Sequence, residues 1–347
     1  MKLEIPLLFD KKYVEFINEN QSIIQSLYFS YIDNTFSDAR CHCQSKNILF
    51  EETLKSIENI DKLLLINGMS TSIKVYSDKK NLKLSYDKLI KMYNEDIITG
   101  LVVYDLYYIK ALNTLSAEKI PKGLKIVPSV NFNISSISRL NSVVTQFSDL
   151  LDYDYIPSII HIDRSLNRNI KELDKLVEYI REKYPTSLIS LLVNEGCIYN
   201  CVYKNTHDAL ISNCNISYYE KEVTDHLSNL DCNSLFNKEP WKLLTTPFIR
   251  PEDLKYYINK YDVIKIAGRT LPTPELINII HSYINQEYEW NIFNLSEVHY
   301  GFKDKYILDN ELIPKDFYHV TTSCDKLCNE CNYCKDLFNE KVQKRRG

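Results

Sequence analysis

Glycine is scarce, with seven residues in a chain of 347, so each glycine near a strand end is informative about the backbone there. Long apolar runs are missing too. No stretch approaches the ~18 residues that a membrane-crossing helix needs. The opening Met1-Lys2-Leu3-Glu4-Ile5-Pro6 also sets an acid where a signal peptide would continue apolar. The expected location is therefore the cytoplasm, with no membrane partner. Charge of one sign does not prevail either: 42 Lys and Arg stand against 46 Asp and Glu, a formal net charge of −4. Apart from Lys344-Arg345-Arg346 no basic block stands out, so nucleic-acid binding by bulk electrostatics is not indicated, a local patch being the one form that escapes this test. Also absent are a Gly-x-Ser-x-Gly elbow and a His-Glu-x-x-His helix, two signatures of hydrolases. What is present is ordinary for a soluble globular chain, 44% hydrophobic and 25% charged residues, which excludes disorder and a fibrous fold.

Short apolar runs rich in Ile, Val and Leu recur along the chain and read as strands. They fall at 22–31, 63–67, 101–105, 124–131, 159–163, 188–194, 245–250 and 263–267. Amphipathic stretches of helical length lie between them, at 51–61, 86–97, 107–117, 137–147, 169–184, 218–230, 251–260 and 274–288. Pro251 and Pro274 stand where a first helical turn tolerates proline, each followed by an acid that suits a helix N-terminus. Eight strands alternating with eight helices predict an α/β fold, a (β/α)8 TIM-type barrel, over residues 1–295, with a doubly wound open sheet as the alternative. The connection 197–245 after the sixth strand is too long for a simple loop and is expected to wall the barrel mouth. A cysteine-rich extension follows at 296–347.

Barrel chemistry gathers at the C-terminal ends of the strands, and the residues there are unusually polar. They are Asp105, Asn131, Asn133, Asp163, Arg164, Asn194, Glu195, Cys197, Arg250 and Arg269, with Lys265 pointing inward among them. Together they read as an active-site rim.

Ten cysteines are unexpected for a reducing compartment, where five structural disulfides would not persist. Cys324, Cys328, Cys331 and Cys334 follow one another at C-x3-C-x2-C-x2-C spacing. Such short steps let thiolates converge on one centre, either a [4Fe–4S] cluster, which the tight run favours, or tetrahedral zinc. The first three also fit the C-x3-C-x2-C of radical S-adenosylmethionine enzymes, but their place after the last helix and the fourth cysteine argue against that reading. A second group comprises Cys197 and Cys201 at the end of the sixth strand, then Cys214 and Cys232, with Cys41 and Cys43 able to reach the same rim.

Four runs carry a resemblance: Asn194-Glu-Gly-Cys-Ile-Tyr-Asn-Cys201, Pro247-Phe-Ile-Arg-Pro-Glu-Asp-Leu254, Ile264-Lys-Ile-Ala-Gly-Arg269 and Asp163-Arg-Ser-Leu-Asn-Arg168. Together they resemble the U32 peptidase-like (collagenase-like) barrel proteins, over roughly residues 20–290. The resemblance implies a (β/α)8 barrel with a cysteine-bound [4Fe–4S] cluster at its mouth. It further implies kinship with oxygen-independent hydroxylation factors acting on ubiquinone precursors or on tRNA and rRNA bases, although some members are described as proteases. Carried over by residue, it assigns the cluster to Cys197, Cys201, Cys214 and Cys232, with Cys41 or Cys43 as a substitute; the spacing C-x3-C-x12-C-x17-C departs from the family's own sets.

The expected function is an iron–sulfur enzyme with one or two clusters, performing an oxygen-independent redox step on a small molecule, nucleotide or peptide. Arg250 and Arg269 would hold an anionic group, Glu195 or Asp163 would handle protons, and His207 would assist or ligate. The alternatives are an electron-transfer or scaffold partner of another protein, and a peptidase.

Overall fold

The computed structural model describes residues 1–31, 36, 50–70, 76–115, 119–217 and 232–345. Eight parallel strands are joined by crossovers: β1 (Lys2–Pro6), β2 (Ile24–Phe29), β3 (Asp61–Ile66), β4 (Gly100–Val103), β5 (Lys125–Pro128), β6 (Ile159–Ile162), β7 (Leu188–Leu192) and β8 (Val263–Lys265). Their order is β5-β4-β3-β2-β1-β8-β7-β6, and every pairing is parallel. The two end strands meet to bring the sheet close to a ring: Ile134, just past β5, bridges Ile162, and the Tyr155 hydroxyl donates to the Ile126 carbonyl at 2.7 Å. This is the expected α/β barrel.

Strand alternation sorts the apolar side chains into two layers. Along β3, Leu63 and Leu65 fill the barrel interior with Tyr28, Val102, Val127 and Ile159, whereas Leu64 and Ile66 face the helices. The helices form where a cap and an apolar stripe coincide. Asp78 accepts from the Lys80 and Asn81 amides to start α3 (Lys79–Asn94), which buries Leu82, Tyr86, Leu89 and Met92. Asn169 likewise caps α6 (Ile170–Lys183), whose Leu173, Leu176, Val177 and Ile180 face the sheet. Around the barrel run also α1 (Lys11–Glu19), α2 (Phe50–Ser56), α4 (Leu106–Leu115), α5 (Ile137–Leu151), α7 (Lys204–Ser217), α8 (Cys232–Lys238) and α9 (Thr273–Asn285).

The strand total matches the sequence expectation, but its membership does not. Lys2–Pro6 supplies the first strand, pairing with both β2 and β8. The stretch 245–250, expected as the seventh strand, lies outside the sheet. It runs extended after a 3-10 turn at Pro240–Thr245, and Ile249 donates to the Val193 carbonyl at 2.7 Å. Pro247 has no amide hydrogen to give a ladder. The expected helix at 251–260 is a 3-10 helix, Pro251–Tyr257, and the expected helix at 218–230 lies outside the described residues.

Beyond the barrel come α10 (Glu297–Tyr300), α11 (Phe317–Ser323), α12 (Tyr333–Lys341) and a two-stranded antiparallel pair, Tyr306–Ile307 with Gln343–Lys344. Phe317, Leu337 and Phe338 are buried in the same apolar cluster as the barrel's outer layer. Among the described residues no helix is long and apolar enough to cross a membrane.

Candidate active site at the barrel mouth

The barrel interior carries ionised groups where most barrels carry Val, Ile and Leu. Glu4 on β1 is completely buried between Lys265 on β8, whose ammonium is bonded to Oε1, and His161 on β6, whose Nε2 lies 2.7 Å from Oε2. Because a carbonyl can only accept, the His161 Nδ1 at 2.9 Å from the Pro128 oxygen bears a hydrogen. Burial pushes the Glu4 carboxyl up, but His161 and Lys265 outweigh it and hold it down at about 2. The Lys265 ammonium sits 3.8 Å from the centre of the Tyr28 ring, whose hydroxyl donates to the Ile266 carbonyl at 2.8 Å.

Above this floor opens a cavity of about 190 Å³ whose wall includes Tyr28, Asn67, Asn131, Asn194, Glu195 and Lys265. Asn194 knits β7 to β8: its amide donates to the Ala267 and Leu295 carbonyls at 2.7 and 3.0 Å and accepts from the Ala267 amide at 2.7 Å. Glu195 receives Arg164 at 2.7 Å and the Cys197 amide at 2.7 Å, and Arg164 reaches on to Asn133 at 3.2 Å. Burial raises the Glu195 carboxyl; Arg164 and the Cys197 amide reverse this and hold it near 2. Between Glu195 and Cys197 the chain needs glycine, because a Cβ on Gly196 would stand 2.7 Å from the Val298 Cβ.

The structure brings several expected site residues to this mouth. Cys197, Cys232, His207, Glu195 and Arg269 all line the central cavity. Arg269 donates to the Ser30 hydroxyl at 2.9 Å. Asp163, Cys197 and Cys201 line an adjoining cleft of about 300 Å³ with Arg164 and Lys204. Asp163 accepts from the Ser165 amide at 2.8 Å and so caps the turn Arg164–Arg168. Burial and the Glu195 carboxylate push the Cys197 thiol well up. Arg250 stands apart from both walls: its guanidinium is buried, paired with Asp253 at 2.7 and 2.9 Å and with Glu252 at 3.3 Å. Asp105 caps α4 through the Tyr108 amide at 2.9 Å. Cys214 lies on α7, while Cys41 and Cys43 lie outside the described residues.

The terminal cysteines form a separate group. Cys324, Cys328, Cys331 and Cys334 line one pocket of about 30 Å³ with Trp241 and Tyr333. Lys326 adopts φ +66°, the left-handed turn that bends the chain between Cys324 and Cys328, and its ammonium donates to the Cys324 sulfur at 3.4 Å. Burial pushes the Cys334 thiol up to about 12, with Arg168 pulling it down and the other three sulfurs adding to the rise. The four sulfurs thus feel one another. Among the described residues no three His, Cys, Asp or Glu side chains already stand at metal-binding separations, so a bound centre here would draw the thiols inward. Four sulfurs are a soft donor set, suited to iron–sulfur or zinc rather than to magnesium or calcium.

Sequence reasoning missed Glu4, His161, Arg168 and His299. Arg168 is buried between the Phe248 and Phe317 rings, donating to the Thr246 carbonyl and to Thr321. His299 lies 3.0 Å from the Thr246 hydroxyl and edge-on to Phe236, Phe248 and Phe293; burial lowers it to about 3. An acid and a histidine inside otherwise apolar runs, Leu3-Glu4-Ile5 and Ile160-His161-Ile162, were the available signals for the first two.

Fold and site together define a (β/α)8-barrel protein with its polar groups at the C-terminal mouth and a thiol-lined pocket beside it. No protein-family model matches the chain. Over 184 residues it is 34% identical to the "Uncharacterized protease MJ1657" of Methanocaldococcus jannaschii, a match covering 53% of each chain and hence about half the length of that relative. Among solved structures, the U32 peptidase Mk0906 superposes with a TM-score of 0.48 and 15% identity, over 77% of this chain and 94% of the other. An N-acetylneuraminate lyase from Mycoplasma synoviae gives 0.29 and 12%, over 82% and 98%.

Proposed function

We propose that this chain is a U32 peptidase-like barrel protein that holds an iron–sulfur cluster through cysteines. It would carry out an oxygen-independent redox step, hydroxylation or a related modification, on a small molecule, nucleotide or peptide at the barrel mouth. The identity to the protease-named archaeal relative supports the family. The observation that carries the cofactor reading is the single pocket lined by Cys324, Cys328, Cys331 and Cys334, with the Lys326 ammonium donating to the Cys324 sulfur at 3.4 Å. Cys197, Cys201, Cys214 and Cys232 are the candidates for a second centre. A bound cluster would supply one-electron transfer; zinc is the alternative at the terminal four. The chain's own residues have separable tasks: Asn194 fixes the strand ends, the Arg164–Glu195 pair shapes the mouth, and Arg269 and His207 line the substrate space.

Two other readings have some support. Cys331 is exposed and Leu327 is half-exposed beside the thiol pocket, a placement that suits electron exchange with a protein partner. The peptidase reading rests on the relative's name. Against it, burial and then the Glu195 carboxylate push the Cys197 thiol up, the reverse of an activated nucleophile.

The deciding experiment measures iron, acid-labile sulfide and zinc in anaerobically purified protein, for wild type, Cys197→Ala and Cys331→Ala. Each [4Fe–4S] cluster adds about four irons; about eight, halved by either substitution, would establish two clusters. About four, abolished by one substitution alone, would locate a single cluster. Zinc without iron overturns the redox reading, and proteolysis that survives iron loss but not cysteine alkylation would install the peptidase instead.

A further inference from the structure

Nothing in barrel stability calls for Glu4, His161 and Lys265. Buried ion pairs often contribute less than apolar side chains of the same volume. Most other interior positions are apolar, Leu63, Leu65, Val102, Val127 and Ile159 among them, with the small hydroxyls of Ser26 and Ser190 beside Glu4 and His161. The arrangement is also one-sided: Lys265 lines the cavity, whereas Glu4 and His161 are sealed beneath it. An ammonium has three donors and no acceptor. Among the described residues Lys265 gives one of them to Glu4 and lays its charge against the Tyr28 ring, so donor capacity is left toward the cavity. Ser296 lines the same cavity, is 1% exposed, and its hydroxyl has no hydrogen-bond partner among the described residues. A buried hydroxyl without a partner is destabilising, and a ligand oxygen would relieve it.

We propose that Lys265 is the floor residue of a binding site for a small anionic ligand, whose carboxylate or phosphate oxygen sits on the ammonium above Tyr28 while a second polar atom meets Ser296. Glu4, locked by His161, fixes the ammonium in place and does not touch the ligand. The inference rests on the barrel mouth being the substrate site, but it requires no metal.

The test titrates full-length protein with malonate and, separately, with inorganic phosphate, following heat release and the thermal midpoint against chloride at matched ionic strength. One of the two anions is expected to bind saturably at millimolar concentration. Saturation by malonate identifies a carboxylate ligand, and saturation by phosphate a phosphate monoester. Lys265→Met should weaken that binding at least tenfold, and Ser296→Ala several-fold. Because Lys265→Met strands Glu4, the Glu4→Gln/Lys265→Met double variant, which removes both charges, is measured alongside. Binding to the double variant as tight as wild type overturns the proposal, as does the absence of saturable binding by either anion in wild type. Repeating the titration on Cys331→Ala protein separates the two readings: anion binding that persists without iron leaves this inference standing even if the redox reading falls.

Discussion

At the scale of single residues, the mouth depends on buried charges that have partners. Arg164 is the cation bonded to Glu195, and both are nearly sealed from solvent. Arg164→Met should cost about 3–5 kcal/mol, the usual penalty for stranding one member of a buried pair, and adding Glu195→Gln should recover most of it. Urea denaturation of the two variants checks this; a single variant as stable as wild type would show that the pair is dispensable. Acid provides a second test. His299 is held near 3 in the folded chain against about 6.5 when unfolded, so the unfolded state binds the extra proton and stability falls as pH drops below about 6.5. Glu4 and Glu195, held near 2, add their loss only below about 4.3, where the unfolded carboxyls begin to protonate. His299→Gln should therefore flatten the stability profile between pH 6.5 and 4.5 while leaving the steeper fall below it, as read from chemical denaturation at each pH. An unchanged slope in that window would assign the loss to other groups. Residues of this kind divide by legibility. Asn194, Glu195 and Asp163 could be found because strand ends announce themselves, whereas Arg168 and His299 reach the core from irregular segments that no periodicity marks.

At the scale of elements, apolar alternation revealed seven of the eight strands and misread two segments for definable reasons. In β1, Glu4 interrupts the apolar pattern and Pro6 closes it, so the strand looks like a polar terminus; its acid is paired inside the barrel, which only the register with β8 reveals. The run Thr246-Pro247-Phe248-Ile249 is apolar enough for a strand, yet its burial comes from α10 and α11 rather than from neighbouring strands, as the Phe248 contacts with His299 and Phe317 show. Glycine scarcity was the better guide. Gly268, at the end of β8, has φ +151°, and a Cβ there would meet the Leu276 Cδ1 at 2.7 Å. Gly268→Ala is expected to cost roughly 1–3 kcal/mol through backbone strain and to displace the neighbouring Arg269 from the cavity wall. A thermal melt reads the first effect. The second appears as weaker binding of whichever anion the wild type takes, and full stability in this variant would contradict the strain.

At the scale of the whole molecule, the cysteine-rich extension at 296–347 packs against the barrel's outer layer. Phe317 and Phe338 are completely buried in the barrel's apolar cluster, and Arg168, from the turn after β6, bonds to Thr321 and stacks on Phe317 of the extension. Cys334 is thus tied through Arg168 to the turn that also supplies Arg164 to the mouth. Removing residues 296–347 would leave the Arg168 guanidinium without Thr321 and Phe317 and bare the apolar faces of Phe236, Phe248 and Phe293. Each such large side chain contributes about 1.5–3 kcal/mol when buried, against a total stability of only about 5–15 kcal/mol. A chain ending at residue 295 should therefore lose its cooperative thermal transition and bind a hydrophobic dye, while Cys331→Ala in the full chain should melt cooperatively. If the shortened chain melts as sharply as the full one, the extension is a separate domain, and the terminal thiols are coupled to the barrel by proximity alone.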